Sequence, residues 1–276
     1  MAPGTTIEGW SMTHTTEVLL PTSADQAISQ FGDGEGVTVI GGGTIVMPEI
    51  TYGRAAPSKA LLLARAGLDT LDAEGSTVTV GAALTVERLA GLAQDVKGLA
   101  QCALNVADYE IRRQATVGGN LCAGEGHDAP RGDLQGPFLA LEALARSVGG
   151  DGEVTQPLEE FLAHRRGRLL LDLRFEKPAA SAFSAIDYPH THEYTVLAVT
   201  GVRSADGEIR LAATGLAGHG ARLPSAEAAA ADPEAAGAAA IQDVRLGDDA
   251  LASAWYREQA LPVLVRRVLS ELEEAA

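Results

Sequence analysis

Cysteine is scarce: the chain has only two, Cys102 and Cys122, in 276 residues. They form neither a C-x-x-C pair nor a disulfide framework, so the chain brings no zinc or iron–sulphur ligand set of its own, and a reducing, cytoplasmic setting is expected. Basic charge is also short, with 21 Lys and Arg against 37 Asp and Glu and a formal charge of −16. Nucleic acid and anionic membranes would repel such a chain. Any phosphate bound here must be held by backbone dipoles. No apolar run reaches the roughly 18 residues of a membrane span, and the N-terminus lacks a basic-then-apolar signal pattern. Residues 1–15 read as a polar arm. There is no G-x-S-x-G elbow, which leaves hydrolase chemistry without a motif. His190 and His192 alternate along an extended stretch, but a metal needs further ligands and none is assembled near them, so no metal site is expected.

What the chain does have is length for two or three packed units and two glycine turns. Thr16–Pro21 is a short extended run. Ser23 is placed to cap a helix that reaches Phe31, with Ala27, Ile28 and Phe31 at helical spacing. Val37–Ile40 is β-branched and continuous, as a buried strand should be, and runs into Gly41-Gly42-Gly43-Thr44. The second turn is Arg113-Gln114-Ala115-Thr116-Val117-Gly118-Gly119-Asn120. Each turn would offer N–H groups where no Cβ blocks an anion, and two in one chain point to a pyrophosphate gripped from both sides. A Rossmann fingerprint is the competitor. Gly41 and Gly43 satisfy its first two positions, but Val46 stands where the third glycine belongs, Pro48 follows, and Ala60–Leu63 offers no carboxylate at the required distance.

A second unit begins near Pro57. Leu61–Ala64 and Thr77–Val80 read as strands around the turn-rich Asp72–Ser76. Thr85 is a plausible cap for a helix carrying Val86, Leu89, Ala90 and Leu92, and the apolar segment Gly98–Val106 leads to the second turn. Arg168–Phe175 reads as a strand. Proline and small residues at Glu176–Ala180 mark a boundary. Beyond it, Tyr194–Val202 and Ile209–Gly215 read as a hairpin around Ser204–Gly207. The alanine-rich Ala226–Ala240 and the segment Leu251–Glu274 read as helices, the latter with Leu261, Leu264, Val265, Val268 and Leu269 on one face. The units do not alternate regularly, so α+β is expected over a doubly wound sheet.

The string I-R-R-Q-A-T-V-G-G-N-L at Ile111–Leu121 resembles the I-R-N-x-A-T-x-G-G-N-I signature of FAD-binding subunits in the xanthine dehydrogenase and carbon monoxide dehydrogenase family of molybdenum hydroxylases. V-I-G-G-G-T-I-V-M-P at Val39–Pro48 resembles that family's first FAD loop, A-G-G-T-x-L-x-P. The similarity runs from about Glu17 to the C-terminus. It implies an α+β fold with a two-lobed PCMH-type FAD-binding domain, its lobes at residues 16–56 and 57–177. A small α+β domain of the carbon monoxide dehydrogenase flavoprotein type would follow at residues 178–276.

The resemblance also implies a site. Val39, Ile40, Gly41, Gly42, Gly43, Thr44, Ile45 and Val46 would wrap the FAD pyrophosphate, and Ala115, Thr116, Gly118, Gly119 and Asn120 would close on it, with Val106 beside the cofactor. Asp133 would contact the ribityl chain, although Asp128 competes for that role and Asp133 alternatively caps the following helix. Leu170 would lie against the isoalloxazine, or be ordinary core. Phe183 keeps the aromatic of the family's A-Y-x-K segment, while Ser184 and Ala185 leave its lysine absent. Arg113 stands where the family has Asn. His127 and Arg131 are loop residues that reach the cofactor, a neighbouring subunit, or only solvent.

No residue here would be a catalytic acid, base or nucleophile. By resemblance, hydroxylation occurs at a molybdopterin-type molybdenum cofactor in a large subunit. Electrons pass through two [2Fe-2S] clusters in a small subunit to this FAD and on to an external acceptor, within a dimer of heterotrimers. A stand-alone flavin oxidoreductase of the same fold and a flavin-free accessory protein are the alternatives.

Overall fold

The computed structural model describes residues 16–123, 132–186 and 195–275, and three sheets organise these described residues. The first sheet holds β1 (Glu17–Leu19), β2 (Val37–Ile40) and β3 (Lys59–Leu62), with α1 (Ala24–Phe31) and α2 (Val46–Thr51) between them. Ser23 caps α1 by accepting from the Gln26 amide at 3.2 Å, and Gly32 ends it at φ 61°. Ala27 and Phe31 bury the inner face of this helix. β3 lies in the middle, parallel to both β1 and β2. The boundary expected near Pro57 therefore cuts this sheet. The first lobe needs residues to Leu62, because β1 and β2 do not pair with each other and β3 supplies the ladder for both.

The second sheet runs in the order β4 (Leu71–Asp72), β5 (Thr77–Gly81), β8 (Leu169–Glu176), β6 (Leu144–Gly149), β7 (Gly152–Pro157), all neighbours antiparallel. Inserted between β5 and β6 are α3 (Val86–Leu89), α4 (Lys97–Asn105), α5 (Tyr109–Arg112), α6 (Val117–Leu121) and α7 (Gln135–Ala140), and α8 (Leu158–His164) follows β7. Thr85 caps α3 as its sequence position predicts, but the helix tightens into a 3-10 turn at Ala90–Gln94. Leu89, Leu99, Leu121, Phe138, Phe161 and Leu173 are fully buried together. Phe138 meets Phe175 edge to face with centroids 5.8 Å apart.

The third sheet has the order β12 (Ala221–Arg222), β11 (Ile209–Thr214), β10 (Leu197–Arg203), β9 (Ala180–Ile186), antiparallel throughout. Its helices are α9 (Pro224–Ala228), α10 (Pro233–Ala239) and α11 (Ala254–Glu274). The single helix expected over Ala226–Ala240 is broken. Pro233 has no N–H to continue the ladder, and Asp232 instead caps α10 through the Glu234 and Ala235 amides. The face of α11 read from the sequence is buried as expected. It lies directly on β10: a Cβ on Gly201 would fall 2.4 Å from Val268 Cγ1. Arg257, 1% exposed, locks the start of α11. Its guanidinium donates to Val196 O (3.0 Å), Gly247 O (2.7 Å), Ala252 O (3.0 Å) and Asp249 Oδ2 (2.7 Å). Among the described residues no helix is long and apolar enough to cross a membrane.

Candidate functional site

β2 ends at Ile40 and the chain turns through Gly41–Ile45 into α2. α5 leads through Arg113–Thr116 into α6. The two turns touch each other, and both line one cavity of about 620 Å³. Their contact explains two of the glycines. A Cβ on Gly41 would fall 2.3 Å from Thr116 Oγ1, and one on Gly42 only 1.8 Å from the Gln114 carbonyl oxygen. Gly43 has a different reason, a left-handed φ of 75°. Gly118 is small because Ala82 O would lie 2.9 Å from its Cβ, whereas a Cβ on Gly119 would meet only Thr116 Oγ1.

The donors are unequally shared between the turns, which the sequence did not foretell. In the second turn the Val117 amide donates to Leu84 O at 2.9 Å and the Gly118 amide to Ala82 O at 2.8 Å. The Gly119 amide donates to Thr116 Oγ1 at 3.2 Å, capping α6. Thr116 itself bridges to Thr85. Among the described residues the amides of Gly42, Gly43 and Thr44 have no acceptor. The first turn therefore carries most of the open donors, and the second supplies shape together with the Thr116 amide and hydroxyl.

Within α6, Asn120 organises the cavity wall. Its Oδ1 accepts from the Leu134 amide at 2.9 Å and its Nδ2 donates to Asp133 Oδ2 at 3.2 Å. Asp133 does not cap α7, whose N-terminal residue makes no side-chain cap. Its carboxylate is a cavity-wall group held by Asn120. Asp128, His127, Arg131, His190 and His192 lie outside the described residues.

Of the residues expected around the ligand, Val39, Gly41, Gly42, Gly43, Thr44, Ile45, Val46, Val106, Ala115, Thr116, Gly118, Gly119, Asn120, Asp133 and Leu170 line this one cavity. Ile40 and Phe183 do not. Ile40 is buried beneath the first turn, and Phe183 packs against the core around Phe138.

Several lining residues were missed. Ala107, Asp108 and Ile111 extend the stretch of wall that begins at the expected Val106. Ala107 there adopts φ 44°, which is costly for a residue with a Cβ. Arg112 holds it: its Nη1 donates to Val106 O (3.2 Å) and Ala107 O (3.0 Å), while its Nε donates to Glu87 (2.9 Å). Arg165, Arg166 and Arg168 also line the cavity, after α8. The R-R-G-R run was the visible signal for them. Arg168 is tied to Asp151 and to Ser147 Oγ. Cys122 faces the cavity too. It keeps an exposed surface there, yet the protein mass around it pushes the thiol up to about 11, with the nearby Arg165 charge pulling the other way. Among the described residues no group of three His, Cys, Asp or Glu is placed to hold a metal ion.

The family model described as the FAD binding domain in molybdopterin dehydrogenase matches residues 13–174. The chain is 24% identical over 274 residues to the 6-hydroxypseudooxynicotine dehydrogenase complex subunit alpha of Paenarthrobacter nicotinovorans, covering 90% of this chain and 91% of that one. It is 29% identical over 147 residues to the carbon monoxide dehydrogenase medium chain of Hydrogenophaga pseudoflava, about half of each chain (51% and 50%). In fold it is similar to reconstituted CO dehydrogenase from Oligotropha carboxidovorans, with TM-score 0.84, 22% identity and 100% of both chains covered. Quinoline 2-oxidoreductase from Pseudomonas putida 86 gives TM-score 0.80 at 18% identity, covering 95% of this chain and 98% of that one.

Proposed function

The chain belongs to the family of FAD-binding domains of molybdopterin dehydrogenases, and we propose that it is the flavin-carrying electron-transfer subunit of a heterotrimeric molybdenum hydroxylase. The observation that carries this reading is the meeting of two distant glycine turns on one cavity, with open amides at their meeting. The residues present fit FAD. A cavity of about 620 Å³ lies within the range of cofactor sites, roughly 300–1,000 Å³. Gly42, Gly43 and Thr44 supply amide donors for a diphosphate where no cationic patch is required. Asp133, aimed by Asn120, suits sugar-like hydroxyls. Leu170 offers an apolar surface to the isoalloxazine, and the wall around Ala107 is left for the nucleoside end.

FAD held by these residues would supply the redox chemistry of an electron relay between partner iron–sulphur clusters and an external acceptor. This chain's residues bind and orient it, and none acts as acid, base or nucleophile on the substrate. Two relatives carry a subunit or chain designation in their names. That supports an assembly in which a small subunit holds two [2Fe-2S] clusters and a large subunit holds the molybdenum cofactor and the substrate pocket, as a dimer of heterotrimers. FAD titration of the purified chain, followed by fluorescence quenching and visible absorption, tests the first part of the reading. A folded chain that takes up no FAD overturns it. Co-purification of the tagged chain with iron- and molybdenum-bearing partners from its native host tests the second part, and recovery of a flavoprotein without them favours a stand-alone oxidoreductase.

A further inference from the structure

The cavity and the third sheet are separate in one respect: among the described residues, every residue lining the cavity precedes Pro178. The units nevertheless meet over a shared face, and Gln135 is one of the buried polar side chains that join them there. Gln135, at the start of α7, is 1% exposed. Its Nε2 donates to Leu121 O at 2.7 Å and to Ala123 O at 3.4 Å, so it holds the carbonyls at the C-terminal end of α6. Its Oε1 accepts from the Gly220 amide at 2.7 Å, in the loop between β11 and β12. One amide thus connects the helix that begins at the second glycine turn to the domain that touches none of the cavity.

The packing around it leaves little slack. A Cβ on Gly132 would fall 2.6 Å from Gln135 Nε2, and one on Gly220 would fall 3.1 Å from Gln135 Cβ and 3.0 Å from Thr214 Cγ2. A Cβ on Gly136 would lie 3.1 Å from the same Thr214 methyl. Two glycines, Gly132 and Gly220, therefore bring two backbones onto the Gln135 side chain, and Gly136 lets α7 close on Thr214 beside it. A primary amide is the group that can donate to one unit's carbonyls and accept from the other unit's N–H at the same time.

We propose that Gln135 is a positioning residue that couples FAD binding to the seating of the C-terminal domain. The proposal rests on the reading that the cavity holds FAD. With FAD in place, α6 and the Cys122–Ala123 wall are fixed; Gln135 then holds Gly220, and the loop before β12 stops opening. By linkage the effect is reciprocal: a well-seated C-terminal domain tightens FAD binding.

Hydrogen exchange on the full chain, with and without saturating FAD, tests this together with an FAD titration. In the native protein FAD should slow exchange in the peptide spanning Gly218–Leu223. In Gln135→Met that slowing should vanish and the FAD dissociation constant should rise roughly tenfold or more, within the 5- to 150-fold span of such couplings. Gln135→Glu keeps an acceptor for Gly220 but turns a carboxylate towards two carbonyls, and the same loss is expected; it serves alone if the Met variant does not fold. The coupling is overturned if FAD binds the native chain without slowing the Gly218–Leu223 peptide, or if the slowing persists in a folded variant. Failure of the native chain to bind FAD shows in its titration alone. That outcome removes the FAD reading and the coupling with it.

Discussion

Gly42→Ala is the sharpest test of how the two turns meet. The new Cβ would sit 1.8 Å from the Gln114 carbonyl oxygen, 2.5 Å from its carbon and 2.9 Å from the Ala115 nitrogen, all backbone atoms. Gly42 is not in the left-handed region, so alanine carries no conformational penalty there and the whole cost is steric. Contacts under 3.0 Å essentially do not occur, so the turns must part by at least about 1.2 Å. Overpacking of this kind costs about 1–3 kcal/mol. In the free chain part of that is relieved by separation of the turns, but a bound diphosphate needs them together. The cost should therefore appear as weaker binding, about 10- to 100-fold in the FAD dissociation constant at ~1.4 kcal/mol per tenfold. The assay is FAD fluorescence quenching beside a urea melt. Gly91→Ala is the control, because its Cβ would meet nothing within 4 Å; it should leave FAD affinity unchanged and stability equal or slightly higher. A Gly42→Ala chain with native FAD affinity and a native melt would refute the contact between the turns.

Other perturbations have equally definite outcomes. Arg257→Met leaves the Asp249 carboxylate, the buried Val196 carbonyl and the part-buried Gly247 and Ala252 carbonyls without their donor, and should cost about 3–5 kcal/mol in a urea melt. Burial alone would raise the Asp249 pKa, but the Arg257 hydrogen bond, the Leu251 and Ala252 amides and the Arg257 charge outweigh it and hold the carboxyl below its ordinary value. Its contribution is thus complete above the unfolded value near about 3.9 and is lost as pH falls through the lower folded value. An Arg257→Met chain that keeps the native acid profile contradicts this. Asn120→Asp places a second carboxylate against Asp133, so FAD affinity should fall more than in Asn120→Ala and recover as pH drops and the pair takes up a proton. Affinity that does not change with pH between 8 and 5 would show that Asn120 does not set the Asp133 carboxylate.

Elements with local causes were legible in the sequence. Ser23, Thr85 and the β-branched run Val37–Ile40 declare a cap, a cap and a strand without help from the rest of the chain, and all three are found. The glycine turns were legible as turns, but the reasons for their glycines were not. Gly41 and Gly42 are small because of Thr116 and Gln114, far along the chain, and Gly118 because of Ala82. The unequal sharing of donors was hidden for the same cause, since the acceptors Leu84 and Ala82 become neighbours only through tertiary packing. β3 was placed in the wrong lobe because strand pairing is not written in a four-residue apolar run. The Asp232–Pro233 break was visible as a turn signal, but the surrounding alanines masked it. Gln135 reads as an ordinary polar residue before an apolar helix; only burial between two units reveals it.

The cavity wall is drawn from stretches near residues 39–46, 106–123 and 165–170, so no fragment of the polypeptide owns a binding surface. Flavin can recognise only a molecule whose first and second sheets have already come together. It then acts as a native-state ligand that adds RT ln(1 + [L]/Kd) to the unfolding free energy. Yellow colour in a preparation of this protein therefore counts completed molecules, and a shortage of flavin during synthesis should be felt as a fall in resistance to proteolysis.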